Sequence, residues 1–213
     1  MKILHPGVIE GKPAVSYAIR AVILLMLVLR SAPGEAAGPG EPMVRVATRL
    51  GNIDVVVDAT HAPVSAANFL RYVDKGMYDG GRFHRTVRLD NQPDKAVKIE
   101  VIQAGINPDR QHEEFAPIAL ERTSVTGIRH QAGVISMARD GPDTATSDFF
   151  ICITDQPSLD FGGARNPDGQ GFAAFGHVVR GMAVLRRIQQ AKSEGQTLTP
   201  PVEILSVRRF ASK

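Results

Sequence analysis

Alternation of apolar and polar residues begins at Met43. Val44, Val46 and Thr48 alternate with Arg45, Ala47 and Arg49, and after Gly51-Asn52 the pattern resumes at Ile53, Val55 and Val57. A period of two puts one face of each segment in a core, and the Gly-Asn pair joins them as a hairpin. Pro63 then opens a stretch in which Ala66, Phe69, Leu70 and Val73 recur at helical spacing, with Gly76 placed to end it. Short apolar runs at residues 98–103, 118–120, 133–137, 149–153 and 172–178 follow, each bounded by Gly, Pro, Asp or Asn, and these predict strands. Met182, Leu185, Ile188 and Gln189 predict a second helix running up to Gly195, and residues 202–207 supply a last strand. A sheet of about eight strands with only two helices favours closure, because a closed sheet has no exposed edges. The predicted fold is therefore mainly β, a closed eight-stranded antiparallel barrel with two capping α-helices over residues 43–210, followed by a tail at 211–213.

Upstream of this domain the pattern changes. Lys12 and Arg20 precede an uninterrupted apolar run at residues 21–29, and the small-residue stretch 31–38 follows it. Charged region, apolar core and small residues in that order predict a secretory signal over residues 1–37, with 38–42 as a flexible lead-in. The run is well short of the ~20 apolar residues that span a bilayer, so no stable membrane insertion is expected. The expected location is periplasmic or secreted.

Composition narrows the chemistry. At 213 residues and 43% hydrophobic, the chain has room for one packed domain and an appendage. The net charge is +3, and two of those charges fall within residues 1–37, so the domain lacks the basic face that nucleic-acid binding needs. Cys152 is the sole cysteine, which excludes an internal disulfide and a thiolate metal cluster. No nucleophile elbow or phosphate-cradling glycine loop appears, and the six histidines include no pair at metal-ligand spacing. Hydrolysis and redox chemistry are thereby disfavoured, and no cofactor is expected. Asp54 with Asp58, or Asp140 with Asp143, could form carboxylate pairs, but at strand ends and turns such residues usually satisfy backbone N–H groups.

Three segments resemble the cyclophilin family. Tyr78-Asp79-Gly80-Gly81-Arg82 leads into Phe83-His84-Arg85. Gly133-Val134-Ile135-Ser136-Met137-Ala138 leads through Gly141-Pro142 and Ser147 to Phe149-Phe150-Ile151-Cys152. Phe175-Gly176-His177-Val178 precedes Gly181-Met182. All three run in register between about Val44 and Phe210. The resemblance implies a peptidyl-prolyl cis/trans isomerase acting on proline-containing polypeptides as a monomer, with no covalent intermediate. By motif, Arg85 matches the family's catalytic arginine. Val101, Phe150, Leu159 and Phe172 fall at proline-pocket positions, while Gln103, Ala138 and Arg139 fall where the family contacts the peptide backbone.

Some positions depart from that pattern. Phe172 stands at a usual histidine position, Glu100 near an expected phenylalanine, and Asp148 where a glutamine supports the arginine. The tryptophan that contributes to cyclosporin binding has no counterpart, since Ser158 precedes Leu159 and the chain contains no Trp. Segments 89–97 and 161–170, rich in Gly, Pro, Asn and Asp, read as inserted surface loops flanking the groove. The residues thus fit either an active isomerase or a proline-peptide binding module with little turnover, and Arg85 with its support separates the two.

Overall fold

Residues 40–211 are described by a computed structural model, so the signal expected over residues 1–37 lies outside them. The hairpin forms as the alternation predicts: β1 (Met43–Thr48) and β2 (Gly51–Val57) pair antiparallel, burying Val44, Val46, Ile53, Val55 and Val57. Helix α1 (Pro63–Asp74) starts on proline, whose missing N–H costs nothing in a first turn. It ends at Lys75, followed by Gly76 at φ +61°. Then come β3 (Arg82–Val87), β4 (Val101–Gly105), the one-turn helix α2 (Thr123–Thr126), β5 (Val134–Met137), β6 (Phe149–Cys152) and β7 (Ala173–Arg180). Helix α3 (Met182–Gln189), the two-residue β8 (Ser193–Glu194) and the long β9 (Thr197–Phe210) complete the chain.

Hydrogen bonding runs β1-β2-β7-β5-β6-β4-β3-β9, and β9 pairs back onto β1, which closes eight strands into an antiparallel barrel. β8 stands outside the ring as a short ribbon on β9. The apolar face of α1 (Ala66, Phe69, Leu70, Val73) and that of α3 (Val184, Leu185, Ile188) join the core formed by the inward strand residues. Phe69 sits at its centre, with ring centroids 5.5 Å from Tyr78, 5.5 Å from Phe149 and 5.2 Å from Phe175. Tilted and edge-on pairs of this kind each add about 0.5–1.5 kcal/mol beyond area burial.

Several expectations need correction. Residues 118–120 make only an isolated bridge, Ile118 to Ala145, because the Leu120 N–H is taken by the Asp143 carboxylate rather than by a neighbouring strand. The second helix stops at Gln189, well before Gly195. The last strand begins earlier than expected, at Thr197, and runs through Pro200 and Pro201. β3 forms over a run, RFHRTV, that shows no regular apolar alternation. Asp58 and Asp143 accept from backbone N–H groups as expected, of Thr60 and His61 and of Leu120, whereas Asp54 is held instead by the Arg45 guanidinium.

Candidate active site

Strand alternation divides the apolar residues between the barrel interior and a second, outer cluster. On β6, Phe149 and Ile151 join the interior, while Phe150 and Cys152 join the outer cluster with Val87, Ile99, Val101 and Leu159. Ala138 and Phe172 pack against this outer set. Register then fixes neighbours across the strands: Arg85 on β3 lies opposite Gln103 on β4, and Gln103 lies opposite Phe150 on β6. Directly opposed residues sit about 5 Å apart. A guanidinium, an amide and a phenyl ring are thereby set side by side on the outside of the barrel.

Arg85 reaches that face through an irregularity. Phe83 pairs with Ala104 and Arg85 with Gln103, so β3 spends two residues where β4 spends one, and His84 is the extra residue. Phe83 is buried in the interior. In a regular strand Arg85, two residues on, would share that face. The bulge at His84 shifts the alternation by one and turns Arg85 outward.

The groove above the outer cluster has a volume of about 530 Å³. Arg85, Val101, Gln103, Ala138, Arg139, Asp148, Phe150, Leu159 and Phe172, the nine positions chosen from the sequence, all line it. Phe150 stands edge-on to Phe172, with centroids 5.3 Å apart at 87°, and lies parallel to His130 at 5.9 Å. His130 is wholly buried: its Nδ1 meets Asp160 Oδ1 at 2.8 Å and its Nε2 meets Ser136 Oγ at 3.0 Å. Arg139 donates to both Asp168 oxygens and to the Gly171 carbonyl, with its guanidinium 4.9 Å from the Phe172 ring centroid. Its side chain is 1% exposed, so the part of Arg139 that fronts the groove is main chain.

Arg85 is held by neutral acceptors. Its Nε and Nη2 both donate to Gln196 Oε1, at 2.9 and 2.6 Å, and its Nη1 donates to Gln103 Oε1 at 3.0 Å. No carboxylate pairs with it among the described residues. Burial pulls its pKa down from that of a free guanidinium, yet an arginine keeps its charge at any physiological pH. Gln196 was invisible in the sequence, because it lies 111 residues from Arg85 in no recognisable motif.

Asp148 supports Arg85 at one remove, its Oδ2 accepting from Gln103 Nε2 at 2.9 Å. Burial raises its pKa above the ordinary aspartate value, the Glu114 and Asp140 charges add to this, and the Gln103 bond and His84 oppose it. His84 Nε2 stands 3.5 Å from Asp148 Oδ2. A raised carboxylate pKa means that ionisation opposes folding, and the penalty is present once pH rises above the folded pKa. Asp148→Asn is therefore expected not to destabilise the protein at neutral pH. Protonation gives Asp148 an O–H donor and removes the charge that strengthens its bond from Gln103 Nε2, so the Gln103 amide is freer to rotate away from Arg85. For the isomerase activity that the resemblance implies, kcat/KM followed from pH 8 down is expected to fall through a pKa above the ordinary aspartate value, and Asp148→Asn to flatten the profile. A flat wild-type profile would rule this coupling out.

Two departures noted in the sequence fall elsewhere. Glu100 does not line the groove; it accepts from Thr154 Oγ1 at 3.1 Å and Gln189 Nε2 at 3.2 Å, and Ile99 takes the lining position one residue earlier. Ser158 lies in a single 3-10 turn (Pro157–Leu159) and is not part of the lining. The two inserted segments are built into the groove wall. Buried Gln92 donates to the Arg88 and Ile99 carbonyls, and Arg165 Nη1 donates to Gln92 Oε1 and the Val97 carbonyl, tying one insertion to the other.

Residues 43–209 match the family described as cyclophilin type peptidyl-prolyl cis-trans isomerase/CLD. The chain is 34% identical over 180 residues to peptidyl-prolyl cis-trans isomerase A of Dickeya dadantii, covering 84% of this chain and 87% of that protein. It is 31% identical over 149 residues to peptidyl-prolyl cis-trans isomerase B of Escherichia coli, covering 69% and 84% respectively. Among solved structures, a Cryptosporidium parvum cyclophilin type peptidyl-prolyl cis-trans isomerase, determined in the presence of the dipeptide Ala-Pro, superposes with a TM-score of 0.64 at 19% identity. That match covers 80% of this chain and 99% of the other. With the barrel, the outer groove and these likenesses together, the chain belongs to the cyclophilin-type peptidyl-prolyl cis/trans isomerases.

Proposed function

We propose that this isomerase works by holding an X-Pro segment across the groove and stabilising its twisted amide with Arg85. The observation that carries this is a guanidinium, unpaired with any described carboxylate, fixed beside an apolar pocket by neutral amides alone. Amide resonance sets a barrier of ~18–20 kcal/mol to rotation. As the bond twists, conjugation is lost and the prolyl nitrogen gains a lone pair that can accept a hydrogen bond. A fixed cation beside it binds the twisted state more tightly than the planar one, which is what lowers the barrier. In this scheme Phe150, Phe172, Leu159 and Val101 take the proline ring, while Gln103 and the main chain at Ala138 and Arg139 align the peptide. Because Arg85 spends its bonds on neutral acceptors, its charge stays available to the substrate.

Exchange spectroscopy on an Ala-Pro peptide tests this directly: substoichiometric protein is expected to speed cis/trans interconversion well beyond the spontaneous rate of tens to hundreds of seconds. Binding without acceleration would leave a peptide-binding module instead. We further place the protein as a foldase of the cell envelope, on the ground of the signal-like order of charge, apolar run and small residues in 1–37. N-terminal sequencing of the native protein is expected to start near Gly38, and an intact Met1 in the cytosol would refute export.

A further inference from the structure

The charges lining the groove fall into two separate sets. Glu114, Asp140 and Asp148 come from the segment after β4 and from the β5–β6 connection, while Lys95 and Arg165 come from the two inserted segments; Arg139 also lines the groove, but its side chain is buried and paired with Asp168. Arg85 lies between the sets: Gln103 links it to Asp148, and its charge acts on Arg165. On the basic side, neither Arg165 nor Lys95 has a carboxylate partner among the described residues. Arg165 uses only Nη1, for the Gln92 side chain and the Val97 carbonyl, and its Nε and Nη2 make no hydrogen bond among the described residues. Burial first, and the Arg85 charge second, disfavour the Arg165 cation, so its positive charge is held there against an opposing field. An anion entering this end would relieve both costs at once.

We infer that the insertion-built end of the groove, Arg165 with Lys95, binds an acidic side chain on one flank of the substrate proline. The inference rests on the groove being the substrate site proposed above. The carboxylates at the other end make the selection directional, because a glutamate placed there would meet like charges. A guanidinium fork suits a carboxylate in two-point contact, and Lys95, exposed at the rim, adds charge without fixed geometry.

The test is an NMR titration with short Ala-Pro peptides carrying Glu, Gln or Lys just before or just after the proline. The same samples report Kd from shifts and turnover from exchange peaks. Glu on one flank is expected to bind about fivefold tighter than Gln, with Lys there weaker and with the order reversed or lost on the other flank. High salt is expected to shrink the difference. Arg165→Gln is expected to bring the Glu/Gln ratio close to one, and Arg165→Lys to restore part of it. If Arg165→Gln disturbs the amide spectrum of the fold, Lys95→Gln carries the test, since that side chain is exposed and makes no bond among the described residues; it is expected to lose about half the preference. Kd values within twofold for Glu, Gln and Lys on both flanks would overturn the inference, as would a preference that survives in the Lys95→Gln, Arg165→Gln double variant. Discrimination among peptides with no exchange peaks would sustain the acidic site and overturn the isomerase mechanism, whereas turnover without discrimination would do the reverse.

Discussion

Arg85→Ala is expected to lower isomerase turnover by about 10²-fold or more while leaving the melting temperature nearly unchanged. The rate falls because a donor that tightens its hold only as the amide twists is lost, and removal of one such donor typically costs 10²–10³ in kcat. Stability is spared because the two amide oxygens that accepted from Arg85, on Gln103 and Gln196, lie on residues only partly buried beside an open groove and can turn to water. Gln196→Ala is the companion experiment. It removes two of the three bonds that aim the guanidinium but leaves the one to Gln103, so a loss of about tenfold, seen in kcat rather than KM, is expected of a positioning residue. Full activity in Arg85→Ala would sink the mechanism.

Asp160→Ala is expected to destabilise the fold by about 3 kcal/mol. The Asp160 side chain is 6% exposed and accepts from both the His130 backbone N–H and the His130 ring, with Arg129 more distant at 3.4 Å. Without it, two donors in the protein interior face no acceptor. The loss also reaches the site, because His130 is the plate on which Phe150 lies. Weaker peptide binding is expected together with the lower urea midpoint. Burial on its own would raise the Asp160 pKa, but the His130 bonds and charge outweigh it and hold the carboxyl below its ordinary value. A depressed carboxylate stabilises the fold above its unfolded pKa, and that contribution disappears as pH falls through the folded one. The gap between wild type and Asp160→Ala should thus narrow below about pH 4. A gap that persists in acid would show that the cost is one of packing rather than charge.

Motif and period made much of this molecule legible. The β1–β2 hairpin and α1 follow from apolar spacing alone, and the groove can be placed because Arg85 and Phe150 sit within strong local signatures. What escaped did so for physical reasons. β3 is not legible because the bulge at His84 breaks the alternation that announces a strand, and the start of β9 is hidden because Pro200 and Pro201 are strand-breaking residues through which the strand nonetheless continues. Residues 118–120 look like a strand, yet a side-chain carboxylate replaces the expected ladder. Gln196 depends on a contact across the barrel that no local pattern encodes, and the one-residue offset between Glu100 and Ile99 follows from the insertion just before them.

The bulge in β3 also bears on any attempt to move this chemistry to another scaffold. Phe-His-Arg copied onto a regular strand would aim its phenylalanine and arginine at the same side, so either the ring would be stranded in water or the guanidinium entombed. A graft would have to carry the miscount along with the three side chains. Within this chain, deleting His84 would make Phe83 and Arg85 consecutive and leave the guanidinium facing outward, whereas straightening the strand with all three residues kept would turn Arg85 into a wholly apolar interior with nothing there to neutralise it.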